Sequence, residues 1–301
     1  QTGQARVGAC LTFLEENMAK ILYGEPVAEA LSAETAARAA RLRSRGVTPT
    51  LAIIRVGERP DDMSYERGAV KRCLALGIEV RKYTLRADAA QTELMAAIDG
   101  VNRDDGIHGC LLLRPLPGQM DEHTSCEALA AEKDVDCITA ASLCGVFTGD
   151  KLRFAPCTAR ACIEMLDYYG IAIAGKRAAV IGRSLVVGRP AAMLLLERDA
   201  TVTICHSKTP DAPAICREAD ILIAASGRAG LVGSEYLRSG QKVIDVGINP
   251  SPDGGICGDV NFAEAEAVVG AITPVPRGGG SVTTAVLCRH VVEAAERAAG
   301  Y

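Results

Sequence analysis

The sequence predicts an α/β protein of two domains, each built on a parallel sheet that is covered by helices. Short apolar segments alternate with helical segments along both halves of the chain, an order that is typical of parallel sheets. Hydrophobic residues make up 49% of the chain, whereas aromatic residues make up 4% and tryptophan is absent, so Ala, Val, Leu and Ile must build the core. A length of 301 residues is enough for two domains of ordinary size.

Composition also excludes several classes of function. The formal net charge is -4 and no long basic run occurs, which argues against a nucleic-acid partner. No apolar stretch approaches the roughly 20 residues that span a bilayer. The twelve cysteines form no CxxC pair and no cluster at zinc-ligand spacing. We therefore expect a cytoplasmic protein without a metal site, whose cysteines are small buried residues.

The first half of the chain predicts a βαβαβ unit. Its strands are expected at 50–56, 78–85 and 107–113. The helices are expected at 26–46, 64–76 and 92–101, the last with Thr92 as its N-cap and Glu93 in its first turn. Such a unit is expected to be parallel and right-handed.

The second half repeats the alternation after a charged, turn-rich segment at 149–156. We expect strands at 176–181, 201–205, 221–225 and 242–246, and a final helix at 282–299 that follows a glycine-rich turn and packs on the first domain.

A glycine turn directly follows the strand at 176–181. Gly182 and Gly188 bracket this turn, and the segment after it reads as a helix. A helix N-terminus offers backbone N–H groups and a positive dipole end to a phosphate, and glycine lets the backbone approach it closely. The G-x5-G spacing is weak as a pattern, because a glycine after a strand is often only a tight turn. In its βαβ context it predicts nucleotide binding.

The choice of cofactor follows from the charges near the next strand. The strand at 201–205 is followed by His206, Ser207 and Lys208, with no carboxylate to grip the free ribose of NAD, and Arg183 in the first turn adds a guanidinium. These groups suit a 2′-phosphate, so NADP is preferred over NAD. The alternative is a solvated basic loop.

A series of motifs in order along nearly the whole chain resembles one known family. The motifs are Ser64-Tyr65, Pro115-Leu116-Pro117, Lys133-Asp134-Val135-Asp136, Pro156-Cys157-Thr158, Ile181-Gly182-Arg183-Ser184, Val187-Gly188-Arg189-Pro190, Val243-Ile244-Asp245-Val246-Gly247-Ile248-Asn249, Gly258-Asp259-Val260 and Ile272-Thr273-Pro274-Val275-Pro276. Together they resemble methylenetetrahydrofolate dehydrogenase/cyclohydrolase.

The resemblance implies a fold, an activity and a set of site residues. The fold is an N-terminal folate-type catalytic domain at 9–149 with 281–301, and a Rossmann-like NAD(P)-binding domain at 150–280, with a cleft between them. The activity is oxidation of a tetrahydrofolate derivative by NAD(P)⁺, usually followed by hydrolysis of the methenyl product, commonly in a homodimer. The cofactor-binding positions are Gly182, Arg183, Ser184, Val187, Gly188, His206, Ser207, Lys208, Gly247, Ile248 and Thr283.

The resemblance also implies that the folate ring lies near Tyr65 and Asp136. A carboxylate suits a pterin because it accepts two N–H bonds from one edge of the ring. Each residue has a plainer alternative, since Tyr65 could be a core aromatic and Asp136 could cap a helix.

The chain departs from the family pattern at the positions of its acid/base residues. The family places a lysine four residues after the tyrosine, where this chain has Ala69, and a glutamine before Pro-Leu-Pro, where it has Leu113. Lys71 is rotated by about 200° from that position at 3.6 residues per turn, so we expect it to be exposed. In the late loop Arg277 and Ser281 replace a glycine and a proline, which leaves a loop of glycines that we expect to be flexible.

These losses affect the two reactions unequally. Hydrolysis of a methenyl bridge needs a group that moves protons, and neither Ala69 nor Leu113 can do so, whereas hydride transfer is mainly a matter of positioning. The sequence therefore predicts a dehydrogenase with weak or lost cyclohydrolase activity. Two alternatives stay open: an enzyme for a different, anionic substrate, suggested by Arg114 and Arg277, and a non-catalytic protein that binds folate or nucleotide.

Overall fold

A computed structural model describes residues 18–301 as alternating strands and helices. The strands are β1 (Lys20–Ile21), β2 (Thr50–Val56), β3 (Glu79–Leu85), β4 (Gly109–Leu112), β5 (Arg177–Ile181), β6 (Thr201–Cys205), β7 (Ile221–Ala224), β8 (Lys242–Asp245), β9 (Asn249–Pro250), β10 (Ile256–Cys257) and β11 (Ala271–Ile272). The helices are α1 (Gly24–Arg43), α2 (Pro60–Ala75), α3 (Gln91–Arg103), α4 (Glu122–Glu127), α5 (Ala140–Thr148), α6 (Cys157–Tyr168), α7 (Gly188–Glu197), α8 (Ala212–Glu218), α9 (Phe262–Glu266) and α10 (Gly279–Ala298), with a short 3₁₀ turn at Ser234–Tyr236.

The chain divides into two compact units. Within the described residues, one unit consists of 18–25 and 162–280, and the other of 26–161 and 281–301. The predicted domain boundaries are 149/150 and 280/281. The first observed boundary, 161/162, lies twelve residues after the predicted one and within helix α6, and the second agrees with the prediction. The expected start at residue 9 lies outside the described residues. The assignment of functions to these domains stays a prediction at this point.

The unit of 26–161 and 281–301 contains a three-stranded parallel sheet in the order β3-β2-β4. All seven residues of the central strand β2 are buried, whereas the edge strand β3 alternates between exposed and half-buried residues. The strands confirm the predicted parallel βαβαβ arrangement. The final helix α10 packs here, since Cys288 contacts Cys73 of α2 and His290 hydrogen-bonds to the carbonyl of Val135.

The unit of 18–25 and 162–280 contains a six-stranded parallel sheet in the order β1-β11-β8-β7-β5-β6. The four predicted strands form β8, β7, β5 and β6, and β6 has its predicted bounds. The strands β1 and β11, each of two residues, extend the sheet beyond β8 and were not predicted. A short antiparallel pair, β9 and β10, was also not predicted.

All four helices with predicted bounds begin at other residues than expected; α1 is Gly24–Arg43 and α10 is Gly279–Ala298, which begin two and three residues early. The N-cap of α3 is Ala90 and not Thr92, which lies in the first turn. The carboxylate of Glu93 accepts a hydrogen bond of 2.9 Å from the N–H of Ala90, so the glutamate supplies the cap that the threonine was expected to supply. Helix α2 begins at Pro60 and not at Ser64, because proline fits the first helical turn.

The glycine segment before α10 also differs from the expectation of a flexible loop. Gly279 and Gly280 form the first turn of the helix. Arg277 has a φ of 80°, and its guanidinium carbon lies 4.7 Å from the ring centroid of Tyr23. The arginine therefore adopts the left-handed backbone that a glycine takes without strain, while its side chain stacks on an aromatic ring.

Among the helices of residues 18–301, none combines the length with the apolar character that a bilayer crossing requires.

Asp199 ends α7 in a left-handed conformation, with a φ of 63°. The N–H of Ala200 donates to the carbonyl of Leu195, which closes the helix in the manner that favours glycine. We expect Asp199→Gly to raise the free energy of unfolding by about 0.5–1 kcal/mol, because glycine has no Cβ to strain at this φ. Urea denaturation measures the change. Asp199→Ala is the matched control, and an equal gain from alanine would contradict the explanation.

Candidate functional site

The glycine turn after β5 is shaped by two close backbone approaches. A Cβ at Gly182 would lie 2.1 Å from the carbonyl oxygen of Ala225, and a Cβ at Gly188 would lie 2.3 Å from the carbonyl oxygen of Gly182. Any side chain at either position would force the strand end, the turn and α7 apart. The hydroxyl of Ser184 accepts hydrogen bonds from the N–H groups of Val187, at 3.1 Å, and of Gly188, so it caps the helix.

The same turn fits a phosphate group. Within the part of the chain that the structure describes, the N–H groups of Arg183 and Ser184 donate to no protein acceptor. They lie beside the N-terminus of α7, where N–H groups and the helix dipole favour an anion. Arg183 and Ser184 are exposed, and Val187 is half-buried. The turn therefore provides the donors and the backbone proximity that a dinucleotide phosphate requires.

The loop after β6 lies next to this turn, because β5 and β6 are paired with Ile181 opposite Cys205. His206 holds the loop in shape: its N–H donates to Thr209 Oγ1 at 2.9 Å, and its Nδ1 accepts from the N–H of Lys208 at 3.2 Å. The side chains of Ser207 and Lys208 are exposed. The next carboxylate along the chain, Asp211, caps α8 by accepting from the N–H of Ala214 at 3.3 Å.

Two aspartates of the motifs that carry the resemblance, Asp245 and Asp259, organise the loops after β7 and β8. Asp245 accepts hydrogen bonds from the N–H groups of Gly247, Asp259 and Val260, at 2.9, 3.1 and 2.9 Å. Asp259 accepts from the N–H groups of residues 226–228 and from the side chain of Asn249. Both carboxylates are buried. They join three segments that are distant in sequence.

The glycines beside these aspartates are required by the carboxylates. A Cβ at Gly258 would lie 1.9 Å from Asp245 Oδ2, and a Cβ at Gly247 would lie 2.3 Å from Asp259 Oδ1. Gly247 is thus buried against Asp259, while its neighbour Ile248 is 69% exposed. The pairing of each aspartate with a nearby glycine was the signal in the sequence that could have revealed the network.

In the other unit, Tyr65 lies on α2 one turn before the buried Ala69. Ion pairs from the next residue fix this helix to the sheet. Glu66 accepts from Nε of Arg55 on β2 at 2.7 Å and from Nζ of Lys82 on β3 at 2.8 Å. Burial raises the pKa of Glu66, but the hydrogen bonds from Lys82 and Arg55 outweigh burial and lower it. The helix that carries Tyr65 is therefore held in a fixed rotation against β2 and β3.

Asp136 caps a helix and interacts electrostatically with Tyr65. Its Oδ1 accepts a hydrogen bond of 3.2 Å from the N–H of Cys157, the first residue of α6. Burial raises the pKa of Tyr65 well above its ordinary value, and the charge of Asp136 raises it further. Burial also raises the pKa of Asp136, against the lowering effects of Cys157 and Arg114. The capping alternative is thus observed, together with an electrostatic interaction between the two residues that the folate prediction names.

The rest of the Lys133–Asp136 motif satisfies main-chain groups. The ammonium of Lys133 donates to the carbonyls of Val101, Asn102 and Asp104, at the C-terminal end of α3. Asp134 is fully buried and accepts from Ile138 and from Thr139. This motif therefore places Asp136 by fixing the chain on both sides of it.

The positions of the missing acid/base residues hold apolar side chains. Ala69 is fully buried and Leu113 is 6% exposed, next to β2 through a hydrogen bond from its N–H to Ile54. Lys71 is exposed, as predicted. Arg114 is half-buried and forms an ion pair of 3.7 Å with Glu122. No proton-transfer group replaces the lysine or the glutamine at these two positions.

The remaining predicted position, Thr283, is buried in α10. Among residues 18–301 no group of His, Cys, Asp and Glu side chains has the arrangement of a metal site. The eleven described cysteines are free thiols.

Two family models match the chain, one in each half. Residues 22–136 match the catalytic domain of tetrahydrofolate dehydrogenase/cyclohydrolase, and residues 156–299 match the NAD(P)-binding domain of the same family. The chain is 50% identical over 281 residues to the bifunctional protein FolD of Carboxydothermus hydrogenoformans, which covers 93% of this chain and 98% of the relative.

Solved structures agree with these matches. The bifunctional enzyme FolD of Campylobacter jejuni has a TM-score of 0.90 and 36% identity, covering 93% of this chain and 99% of that chain. The Trypanosoma brucei methylenetetrahydrofolate dehydrogenase-cyclohydrolase, which was solved with NADP cofactor and an inhibitor, has a TM-score of 0.89 and 34% identity, covering 94% and 99%. The α/β fold with an N-terminal catalytic and a C-terminal NAD(P)-binding domain is thereby confirmed.

The carboxyl of Asp245 predicts a pH dependence of stability. Burial raises the pKa of Asp245 to about 6, although its N–H donors lower it. The pKa of an aspartate in the unfolded chain is about 3.9. The folded protein therefore binds an extra proton between these values. The stabilisation is complete below about pH 4 and is lost as the pH rises through about 6, a change of about 3 kcal/mol.

The asparagine of Asp245→Asn does not titrate. The unfolding free energy of the natural protein minus that of this variant should therefore fall by about 3 kcal/mol from pH 4 to pH 7. Urea denaturation at several pH values measures it. The exposed Asp61→Asn is the matched control. A difference for Asp245→Asn that is independent of pH would contradict the role assigned to this carboxyl.

Proposed function

Because the chain belongs to the tetrahydrofolate dehydrogenase/cyclohydrolase family, we propose that it oxidises 5,10-methylenetetrahydrofolate with NADP⁺ and hydrolyses the methenyl product weakly or not at all. The proposal of weak or absent hydrolysis rests on one observation: buried apolar residues, Ala69 and Leu113, occupy the positions of the family's lysine and glutamine. Tyr65 and Asp136, which the resemblance assigns to folate binding, are present and interact electrostatically.

The proposed substrate site uses Tyr65 and Asp136 to bind and orient the folate ring. One oxygen of Asp136 is anchored by the N–H of Cys157, and a carboxylate has capacity for further N–H donors from a ring edge. Tyr65 has a raised pKa, so its hydroxyl is protonated at neutral pH and serves as a hydrogen-bond donor. Orientation of this kind is the main protein contribution to hydride transfer.

The proposed cofactor residues are those that the resemblance assigns, all of which except Thr283 lie in the unit of 18–25 and 162–280. The N–H groups of Arg183 and Ser184, with the N-terminus of α7, would hold a phosphate, and Lys208 with the Arg183 guanidinium would bind the 2′-phosphate of NADP. NADP⁺, when bound, supplies the hydride acceptor. His206, Ser207, Gly247, Ile248 and Thr283 stay proposed contacts by the same resemblance.

An anionic substrate is not favoured by the two arginines that suggested it. Arg114 pairs with Glu122, and Arg277 stacks on Tyr23. Each cation thus already has a partner in the protein. We therefore propose no second substrate class.

We also propose a cytoplasmic homodimer. The free thiols of the eleven described cysteines fit a reducing compartment. The dimer rests on the family resemblance alone.

The reaction itself is tested with the purified protein, NADP⁺ and 5,10-methylenetetrahydrofolate. We expect NADPH and the methenyl product to rise together and the methenyl product to persist, since no residue at positions 69 and 113 moves protons. Both are followed by absorbance. A folded protein that binds NADP⁺ but forms no NADPH would reject the dehydrogenase.

Restoring the two side chains separates the two activities. The double variant Ala69→Lys with Leu113→Gln should raise hydrolysis of the methenyl product by about 10²-fold or more, the usual contribution of general acid–base catalysis. Ala69→Met with Leu113→Met is the matched control for the added volume. Rapid hydrolysis by the natural protein would contradict the proposed loss.

Cofactor preference is tested by removing the proposed phosphate contact. Arg183→Ala should raise the KM for NADP⁺ about tenfold and leave that for NAD⁺ little changed, because a charged hydrogen bond to the extra phosphate is lost. The exposed Arg41→Ala is the matched control. Equal effects on both cofactors would remove Arg183 from the 2′-phosphate site.

A further inference from the structure

A cavity of about 400 Å³ lies at the amino edge of the six-stranded sheet, opposite to the carboxyl edge where the cofactor residues are found. Its lining includes Lys20, Lys176 and Lys242, together with Tyr169 and Asp220. None of these residues has a part in the proposed dehydrogenase reaction. The cavity lies wholly within the unit of 18–25 and 162–280.

The strand register places Lys20 and Lys242 in one row across three neighbouring strands, β1, β11 and β8. Lys20 pairs with Ala271, and Ala271 pairs with Lys242, all in parallel. Residues directly paired in this way point to the same face of the sheet, and two strand spacings separate the two lysines by about 10 Å. Ala271 lies between them in this row, is 3% exposed and lines the same cavity.

The turns below this row are shaped around the Lys242 ammonium. A Cβ at Gly270 would lie 2.6 Å from Lys242 Nζ and 3.0 Å from the Cα of Gly240. A side chain at position 270 would therefore displace the ammonium, the flexible end of Lys242, from the turn. Lys242 is half-buried, whereas Lys20 and Lys176 are exposed.

The lining of the cavity has more positive than negative charge: three lysines against Asp220, whose carboxylate interacts electrostatically with Lys176. Both oxygens of Asp220 are engaged, one by Arg238 at 2.7 Å and the other by the N–H of Arg177 at 3.0 Å. Lys20 lies 5.2 Å from the ring centroid of Tyr169. As far as residues 18–301 are described, the three ammonium groups form no ion pair with a carboxylate. Like charges that converge on one space favour an anion there.

We propose that this cavity binds a small phosphate-bearing anion with at least two negative charges. Lysine binds phosphate as a point charge, and the described lining of the cavity contains three lysines and no arginine. The site is separate from the nucleotide turn at Gly182. It is independent of the proposed reaction.

Pyrophosphate is the probe, and NADP⁺ at saturation blocks the nucleotide site of the full-length protein. Calorimetry should show one pyrophosphate site that weakens as salt is added. Lys20→Gln and Lys176→Gln should each weaken it about tenfold, since each removes a charged hydrogen bond. Lys176→Arg, which keeps the charge, should bind within about twofold of the natural protein. Lys151→Gln is the matched control, because it removes one exposed charge in the other unit.

Citrate distinguishes phosphate from carboxylate recognition at the same site. Tighter binding of pyrophosphate than of citrate supports the proposal, and the reverse order overturns the assignment to phosphate. Absence of pyrophosphate binding at millimolar concentration overturns the site, as does equal weakening by Lys151→Gln. The two glutamine substitutions alter exposed side chains, and unchanged NADP⁺ binding verifies that the variants are folded.

Discussion

The pairing of two buried carboxylates with main-chain N–H groups is the constraint on which the six-stranded unit depends. Asp245 and Asp259 accept from segments at 226–228, 247 and 259–260, which follow different strands. An unpaired buried N–H costs about 1–3 kcal/mol, so removal of either carboxylate would release several loops together. The close glycines at 247 and 258 exist because the carboxylates occupy the space of a side chain. The position of the whole carboxyl edge follows from these contacts.

In the other unit, charged side chains of the Lys133–Asp136 motif likewise hydrogen-bond to main-chain groups. Lys133 satisfies carbonyls at the end of α3, Asp134 satisfies the turn that follows, and Asp136 satisfies the start of α6. Ala69 and Leu113, by contrast, only pack. The residues that hold this motif in place are therefore separate from positions 69 and 113. The fold of this unit depends on no polar side chain at either position.

The sequence alone was sufficient to predict those strands and turns that have a strong local pattern. Apolar runs located the principal strands, and glycine after a strand located the turn at Gly182. The strands β1 and β11 were missed because two residues carry no periodicity, and only their register with β8 makes them strands. The cap at Ala90 was missed because the glutamate that supplies it lies three residues later. The Asp245–Asp259 network was missed because it forms between segments whose proximity only the fold creates. The ligand-binding roles stay predictions, because they rest on the family resemblance and not on a local pattern.

The titratable groups around Tyr65 explain why binding and proton transfer need not be lost together. Burial raises the pKa of Tyr65 and of the Cys157 thiol, so both stay protonated at neutral pH. Burial lowers the pKa of His290 to about 3, so this ring is neutral and its Nδ1 is engaged by the carbonyl of Val135. None of these three groups changes its charge near neutral pH, and none therefore serves as a base for water. Asp136 is left as the polar anchor of the region. Such surroundings suit a reaction in which the transferred particle is a hydride and the protein supplies orientation.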